Sequence, residues 1–369
     1  MNYMEGICPA TRLKIECHAR SLSNVSKESK FTEEQEFNAV FPEIIRDITE
    51  ITDLGNSKEI SSWVARAMQF NVPHGKRHRG LLTVGAYKNL VHEQHQTKEN
   101  IKLAQILGWC TEMVNGFLLL YDDIMDGSST RRGQSCWYKL EDVGMIAIND
   151  TIIIENAIYI LLRKHFRDKE CYASIMELFH EVIYATACGQ CMDFLSCQKS
   201  VLSFTEEQFK TIAINKSAHY TFYLPIMLAM ELAGVKDPLT VCQLKNISNE
   251  FGILFQIQND FLDWYVNPEI TGKIGSDIED NNCSWFAVEC LKRANEKQKQ
   301  IMAECYGKKD PQKVLRVKQL FIALELDKAY TEYEQQAYKR IKTMIEESSD
   351  YQPKEAILHI LDKSYLRKR

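Results

Sequence analysis

Three carboxylates directly follow an apolar segment in the first half of the chain. Asp122, Asp123 and Asp126 come after a run of leucines and one tyrosine, so an apolar helix is predicted to end in an acidic cluster. Asp122 and Asp126 are four residues apart and share one face of a helix, where like charges repel. Burying such a pair without a counter-charge is costly, and carboxylate oxygens without nearby His or Cys favour Mg²⁺. The cluster therefore predicts a magnesium site, with a solvated acidic helix end as the alternative.

A second polar cluster, at 256–263, repeats this arrangement after another apolar run. Asn259 and Asp263 have the same i, i+4 spacing as the first pair. Two polar clusters on separate buried helices can face each other across a cavity and hold metal ions between them. Asp193 follows Gly189 and Gln190 and is predicted to lie at the rim of the same cavity.

Cationic side chains occur in the segments beside both clusters. They are Lys76 and Arg79 before the first cluster, Arg131 and Arg132 after it, and Lys273 after the second. Arg offers a planar fork to phosphate oxygens and Lys a compact charge, so their combination with two acidic clusters predicts a diphosphate site. Each of these residues taken alone is more typical of a solvated surface charge.

The elements that position these residues are predicted to be helices. Apolar side chains recur with helical spacing at 101–126, 145–166, 171–197, 207–234, 241–266, 281–306 and 313–347. Strand patterns are nearly absent, and the isoleucine run at 152–154 is interpreted as buried helix. Several segments are apolar around most of their circumference, which is typical of central helices. The predicted fold class is all-α, a helical bundle around a central cavity.

Composition and charge restrict the possible partners. The 369 residues are 45% hydrophobic and 26% charged, as in ordinary globular proteins. A net charge of −5 does not provide the basic surface that nucleic acids require. No run of 18 apolar residues occurs, so no membrane span is predicted. The predicted division is an N-terminal extension at 1–34 and one helical domain at 35–369.

The cysteine and histidine patterns are interpreted as structural. Twelve cysteines are scattered without a recognisable leader, which predicts free thiols and a cytoplasmic location, with mitochondria as the alternative. Cys188 and Cys191 form a CxxC without a second pair, and are interpreted as two small buried residues on a helix. His74 and His78 are four residues apart in a loop with Pro and Gly, and without a third ligand a metal site there is disfavoured.

Several short segments of the sequence closely resemble those of farnesyl diphosphate synthases of the trans-prenyltransferase family. They are Asn71–Lys76, Asp122–Gly133, Gly189–Gln190, Tyr220–Pro225 and Phe255–Trp285. The resemblance covers approximately residues 35–369. It implies an all-α fold with a central cavity, usually a homodimer, and three Mg²⁺ ions between the two aspartate-rich motifs.

The resemblance also implies a role for individual positions. The metal ligands would be Asp122, Asp126, Asn259 and Asp263, with Asp193 at the rim. Arg131, Lys216 and Lys273 would bind the allylic diphosphate, and Lys76, Arg79 and Arg132 match positions that hold isopentenyl diphosphate. Ser217 and Gln256 would place oxygen dipoles near the allylic cation, and Tyr220 is assigned to the catalytic group with them.

Departures from the pattern of the elongating synthases shape the functional expectation. Asn259 replaces an Asp, Asn115 a Gln and Asn282 a Lys, and His74 and His78 flank the site of the second substrate. Because a negative metal ligand and contacts to isopentenyl diphosphate are weakened, we expect a terpene synthase of the insect type, evolved from a farnesyl diphosphate synthase. It would ionise farnesyl diphosphate to give a sesquiterpene. The Asn-Asp opening of the second motif also resembles that of class I terpene synthases.

Two side chains beside the first cluster are expected to shape the product. Tyr121 replaces a small residue and offers its π face to a carbocation. Phe117 precedes Asp122 by five residues and matches a position that limits product length, which favours a C15 over a C20 chain.

Two other functions stay open. Retention of Lys76, Arg79 and Arg132 supports a farnesyl diphosphate synthase, a prenyltransferase that condenses isopentenyl diphosphate with an allylic diphosphate. The other alternative is an inactive subunit that only dimerises with an active synthase.

Overall fold

A computed structural model describes residues 32–50, 57–265, 275–350 and 352–365. Residues 1–31 of the predicted N-terminal extension lie outside this range, and so does Lys273. Residues 32–34 already belong to the first helix, α1, which runs to residue 50 within the described chain.

Helices make up most of the described chain. In order they are α1 (32–50), α2 (Lys58–Asn71), α3 (His78–Leu90), α4 (Lys98–Met125), α5 (Ala147–Phe166), α6 (Tyr172–Cys197), α7 (Glu206–Ala213), a π-helix (Ile214–Tyr223), α8 (Leu224–Ala233), α9 (Pro238–Tyr265), α10 (Trp285–Arg293), α11 (Glu296–Cys305), α12 (Pro311–Ala323), α13 (Leu326–Glu346) and α14 (Lys354–Tyr365). Short 3₁₀ turns lie at Glu93–His95, Trp137–Lys139, Gly144–Ile146 and Val201–Ser203. The all-α prediction is confirmed.

The helix boundaries correct several of the predicted segments. The segment predicted at 281–306 is a loop followed by two helices, because Asn295 starts α11 with a reciprocal capping box to Gln298. The segment predicted at 313–347 is also two helices, since Glu325 adopts φ 53° between α12 and α13. The segment predicted at 207–234 is interrupted by the π-helix.

Helix α4 is the central helix of the bundle and ends at the first acidic cluster. Every residue from Leu103 to Phe117 is buried. The ring of Trp109 stacks on Phe37 at 4.6 Å, and its Nε1 donates to the Phe37 carbonyl at 2.9 Å. Helices α3 and α4 cross at two glycines, since a Cβ on Gly108 would lie 2.7 Å from the Gly80 carbonyl oxygen. This packing fixes the position of α4 along its axis, and with it the position of the acidic cluster at its C-terminal end.

A second core lies around the C-terminal part of α9 and α10 to α13. Its aromatic rings pack edge to face, as in Trp264 against Phe286 at 5.2 Å and Trp264 against Phe321 at 5.3 Å. This core carries the second polar cluster. The two cores together place both clusters on the same cavity.

The chain forms a short β-hairpin that the sequence analysis missed. Strand β1 (Thr130–Arg131) pairs antiparallel with β2 (Gln134–Ser135), with Arg131 opposite Gln134. The two residues of its turn, Arg132 and Gly133, have φ 55° and 74°, as a type I′ turn requires. Strands of two residues carry no alternating pattern, so periodicity gave no signal for them.

Two helices of the described chain are long and apolar enough to cross a membrane by length and composition. They are Lys98–Met125, with 89% of its apolar window buried, and Gly144–Phe166, with 44%. Core helices of soluble proteins meet the same criterion, so the support for a span is weak. The isoleucine run at 152–154 is helical as interpreted, but only part of it is buried: Ile154 is inaccessible and Ile152 is 48% exposed.

Candidate active site

A cavity of about 1400 Å³ lies between α3, α4, α6, the π-helix and α9. Most of the residues assigned to the site from the sequence line it: Lys76, Arg79, Asn115, Phe117, Tyr121, Asp122, Asp126, Arg131, Arg132, Asp193, Lys216, Ser217, Tyr220, Gln256 and Asn259. Asp263 does not line it, but its carboxylate accepts hydrogen bonds from Ser276 and Asp277, which do. Lys273 falls outside the described residues.

The first acidic cluster is paired with the hairpin. Arg131 Nη2 lies 2.6 Å from Asp123 Oδ1 and 3.2 Å from Asp122 Oδ2, and its Nε donates to the same Asp123 oxygen at 2.9 Å. Burial opposes the charge of the guanidinium, but Asp123 and Asp122 outweigh it and raise the pKa of Arg131. The tight turn at Arg132 is therefore what brings Arg131 back onto the end of α4.

A lysine from the π-helix joins the first cluster to α6. Lys216 Nζ lies 2.7 Å from Asp193 Oδ2 and 3.5 Å from Asp122 Oδ1. Gln190 Nε2 also donates to Asp122 Oδ1 at 3.3 Å. Burial works against the ammonium charge, whereas Asp193 and Asp122 raise the pKa of Lys216 above its usual value. Asp193 is thus a member of the cluster, as the sequence predicted for its position.

Negative charge is in excess at the end of α4. Burial raises the pKa of Asp126 to about 6, with Asp122, Asp193 and Asp280 acting in the same direction against Lys216. Such a set of carboxylate oxygens suits a hard divalent cation. Within the described chain, no three His, Cys, Asp or Glu side chains form a group that would hold a metal by themselves. Mg²⁺ usually takes one or two carboxylates together with water and substrate phosphates, so this donor set fits Mg²⁺ bound with a diphosphate.

The second cluster is organised by a chain of hydrogen bonds. Ser217 Oγ donates to Gln256 Oε1 at 2.9 Å, and Gln256 Nε2 donates to Asp260 Oδ1 at 2.9 Å. The backbone N–H of Trp285 donates to the other Asp260 oxygen at 2.8 Å. Burial raises the pKa of Asp260 to about 7, although these two donors oppose the shift. Sequence reasoning did not select Asp260, whose i, i+4 partner is not acidic.

Asp263 holds the chain that follows the second cluster. The backbone N–H groups of Ser276 and Asp277 donate to its two oxygens at 3.3 and 3.0 Å. Gly275 passes so close that a Cβ there would lie 1.9 Å from the Asp263 carbonyl oxygen. Asn259, one turn earlier, lines the cavity itself. In this arrangement Asp263 therefore acts on the loop, and Asn259 faces the cavity.

The basic residues before the first cluster form a separate region of the cavity wall. Arg79 Nη2 donates to Thr221 Oγ1 at 2.8 Å, and its guanidinium lies 4.5 Å from the centre of the Tyr220 ring. Glu112, only 2% exposed, accepts the N–H of Gly80 at 2.9 Å. Burial raises the pKa of Glu112 against the effect of the nearby guanidinium groups of Arg79 and Arg132. Glu112 was not predicted, because an isolated Glu in an apolar helix has no distinguishing pattern.

The hairpin turn also places Arg132 in this region. Its guanidinium packs on Gly75, where a Cβ would lie 2.9 Å from Arg132 Cζ. Gly75 has φ 113°, which excludes most other residues at this position. His78, interpreted as a loop residue, is in fact the first residue of α3.

The apolar part of the wall is formed by α4. Phe117 is 2% exposed and meets the ring of Tyr121 edge to face at 6.5 Å. Both side chains line the cavity.

The interpretation of the CxxC as two buried residues is wrong, since Cys188 is half-buried and Cys191 is exposed. The ten cysteines of the described residues are free thiols, as predicted.

The π-helix is the element that positions Lys216, Ser217 and Tyr220. It lies between two glycines: a Cβ on Gly189 of α6 would lie 2.3 Å from the Lys216 nitrogen, and one on Gly252 of α9 would lie 2.2 Å from Ala218 Cβ. Widened helical turns of this kind often occur at functional sites. Periodicity predicted a continuous helix here, because a π-helix leaves no distinct apolar pattern.

Several known proteins are similar to this chain in sequence and in fold. Residues 61–324 match the polyprenyl synthetase family. The farnesyl pyrophosphate synthase of Gallus gallus is 41% identical over 95% of this chain and 96% of its own length. That of Nezara viridula is 39% identical over 94% of this chain and 84% of its own length. The T. brucei farnesyl diphosphate synthase complexed with risedronate superposes with a TM-score of 0.86 at 28% identity, covering 91% of this chain and 100% of that one.

These comparisons correct the leading functional expectation. The curated relatives are farnesyl pyrophosphate synthases, which are prenyltransferases, so the expected terpene synthase, a lyase, is wrong. The departures at Asn259 and Asn115 change single side chains that line the cavity. The resemblance to the trans-isoprenyl diphosphate synthase family is itself confirmed. The chain belongs to the polyprenyl synthetase family.

Proposed function

We propose that this chain is a Mg²⁺-dependent prenyltransferase that condenses isopentenyl diphosphate with an allylic diphosphate to give farnesyl diphosphate. One observation carries the proposal: two separate groups of cationic side chains line one cavity, and elongation needs sites for two diphosphates. Arg131 and Lys216 lie beside the acidic clusters, and Lys76, Arg79 and Arg132 lie on the wall formed by α3 and the hairpin turn. Relatives about 40% identical over most of the chain carry this activity in their names.

Arg131 and Lys216 are assigned to the allylic diphosphate. Both are held by carboxylates, and a multiply charged diphosphate would share the same donors, so they can stabilise charge that develops on the leaving group. Lys273 is assigned to the same anion from its position in the sequence.

Mg²⁺ would be held at the cavity wall by Asp122, Asp126, Asn259 and Asp193, with Asp263 one turn after Asn259 in α9. Farnesyl diphosphate synthases in general depend on Mg²⁺, and the family resemblance implies three ions. The bound metal would neutralise the diphosphate and assist its departure. Asp126 would gain from the cation, because burial and the neighbouring carboxylates disfavour its negative charge.

Ser217, Gln256 and Tyr220 are assigned to the allylic cation. The Gln256 side chain accepts a hydrogen bond from Ser217 and donates one to Asp260, so its amide dipole has a single orientation. Preorganised dipoles of this kind stabilise developing charge without reorganisation. The C–O bond of the allylic diphosphate breaks, the double bond of isopentenyl diphosphate attacks the cation, and one proton leaves the new chain.

Lys76, Arg79 and Arg132 are assigned to isopentenyl diphosphate. Asn115 lines the same part of the cavity and is one methylene shorter than the Gln of the family pattern. Phe117 and Tyr121 are assigned to the growing chain, and the buried ring of Phe117 is expected to stop it at C15.

Product analysis tests the proposal. Purified protein with Mg²⁺ should convert geranyl diphosphate and isopentenyl diphosphate to a C15 product, identified by chromatography after dephosphorylation. Substituting Asp122 and Asp126 by Ala should abolish turnover without loss of fold. Absence of elongation by the folded wild-type protein would contradict the proposal.

We infer that the enzyme is a homodimer, as the family resemblance implies, and that it is cytoplasmic, as the free thiols predict. Helices α5 and α6 carry exposed apolar side chains, among them Ile148, Ile152, Tyr184 and Phe194. A second copy of the chain would bury them. One chain has a mass of 42.8 kDa, and sedimentation of the wild type should give twice that value. Ile152→Asp should reduce the sedimenting mass to that of one chain.

A further inference from the structure

Several residues between 276 and 284, just before α10, line the cavity. We call residues 275–284 the mouth loop. Asp280 of this loop lines the cavity and is one of the charges that act on Asp126 at the end of α4. The mouth loop therefore brings a further carboxylate towards the first acidic cluster.

The mouth loop is tied to the turn between α11 and α12. The N–H of Gly307 donates to the Ile278 carbonyl at 2.8 Å, and the Tyr306 hydroxyl donates to the Asn282 carbonyl at 2.8 Å. A Cβ on Gly307 would lie 2.8 Å from Asn281 Cβ, so the two segments are in direct contact. These contacts fix the position of the turn relative to the cavity.

This turn carries a lysine that reaches the cavity. Lys309 Nζ lies 3.0 Å from Asp280 Oδ1, and both side chains line the cavity. The Lys309 side chain is 76% exposed, so it can exchange one anionic partner for another at little cost in packing. The neighbouring Lys308 is also exposed but does not line the cavity.

The mouth loop itself lacks the lysine that the family pattern places at position 282. The Asn282 side chain donates to Asp277 Oδ1 at 3.0 Å and accepts from Cys197 Sγ at 3.0 Å. It is thus held within the loop and adds no positive charge to the cavity. A cation from another element would restore that charge near the same place.

We propose that Lys309 is a further diphosphate-binding residue of this enzyme, held at the cavity mouth by Asp280 until the substrate arrives. The inference rests on the proposed function, since it assigns Lys309 to the allylic diphosphate beside Arg131 and Lys216. A diphosphate carries more negative charge than one carboxylate, so the ammonium group moves from Asp280 to the phosphate oxygens. Lys309 assists binding more than the chemical step.

The test compares Lys309→Ala with Lys308→Ala in the full-length protein. Because Lys309 is exposed, both variants should fold like the wild type, as checked by circular dichroism. For Lys309→Ala we expect KM for the allylic diphosphate to rise about threefold to tenfold, with kcat within about twofold of wild type. Lys309→Arg should recover most of the loss, and Lys308→Ala should match the wild type.

A second measurement does not depend on turnover. The rise in Tm caused by inorganic pyrophosphate with MgCl₂ should be smaller for Lys309→Ala than for Lys308→Ala. Equal behaviour of the two Ala variants in both measurements, or an effect on KM for isopentenyl diphosphate alone, would overturn the assignment. If the wild type fails to elongate, the proposed function fails, whereas the pyrophosphate comparison still decides whether Lys309 binds this anion.

Discussion

A side chain on Gly189 would overlap the backbone of Lys216. An added Cβ would lie 2.3 Å from the Lys216 nitrogen and 2.7 Å from its Cα. This close approach lets α6 support the π-helix directly behind the residue that joins Asp193 to Asp122. The glycine therefore sets the position of the lysine that we assign to the allylic diphosphate.

Gly189→Ala should displace the π-helix. The clash is with backbone atoms, which cannot rotate away, so we expect a loss of about 3 kcal/mol in the free energy of unfolding. Turnover should fall about a hundredfold, because a shift of about 1 Å misplaces Lys216 and Ser217. Denaturant unfolding and steady-state kinetics would measure the two effects.

Gly85→Ala in α3 is the matched control for that substitution. Its added Cβ would meet only Ala356 Cβ at 3.9 Å, an ordinary contact. Stability should rise by about 0.5 kcal/mol, as for Gly to Ala in an unstrained helix, with unchanged turnover. Equal losses in the two variants would show that the Gly189 contact has no special role.

Two substitutions of Tyr220 distinguish the contribution of its ring from that of its hydroxyl group. The Arg79 guanidinium lies 4.5 Å from the ring centre, so Tyr220→Phe should keep the cation–π contact and Tyr220→Leu should lose it. A loss of about 1 kcal/mol corresponds to a rise of about fivefold in KM for isopentenyl diphosphate. A larger effect of Tyr220→Phe than of Tyr220→Leu on that KM would contradict this role.

Magnesium binding should depend on pH through Asp126. Because the pKa of this carboxyl is raised to about 6, the folded protein retains a proton there that the unfolded chain has lost. Stability without metal should therefore fall as pH rises from about 4 to 6, and Mg²⁺ should bind more tightly over the same range. Between about pH 5.5 and about pH 7.5, ionisation of this group alone increases the Mg²⁺ affinity about fourfold.

Calorimetric titration of MgCl₂ into the protein, and unfolding curves in EDTA at each pH, would test the two slopes. Asp126→Asn should remove the contribution of this carboxyl to the pH dependence of Mg²⁺ affinity and to that of stability. An Mg²⁺ affinity independent of pH over this range would contradict the prediction.

Asn259→Asp should restore a charged ligand at the cavity wall. The side chain lines the cavity one turn before Asp263, so an added carboxylate should lower the MgCl₂ concentration for half-maximal turnover by about tenfold. Asn246→Asp, at an exposed position of the same helix α9, makes the same chemical change away from the cavity and should leave that concentration unchanged. A response shared by both variants would indicate a general effect of charge.

The fold class, and most of the side chains that line the cavity, could be predicted from the amino-acid sequence. Helical periodicity extends over ten or more residues, so it survived in the fold, and paired carboxylates with nearby Arg and Lys are typical of sites that bind Mg²⁺ and diphosphate together. That is why Asp122, Asp193 and Arg132 line one cavity as expected, whereas Lys216 was expected there only from the family resemblance. The reaction was harder to choose, because lyases and transferases of this kind ionise the same diphosphate, and single changes such as Asn259 do not separate them.

Only the tertiary structure decided the features that depend on contacts between distant segments. The π-helix exists between Gly189 and Gly252, which are far from it in the chain, and the hairpin that returns Arg131 to Asp123 has strands of two residues. Asp260 and Lys309 likewise acquire their roles from partners on other elements. Such contacts leave no periodic pattern in the sequence, since each depends on where whole helices pack against one another.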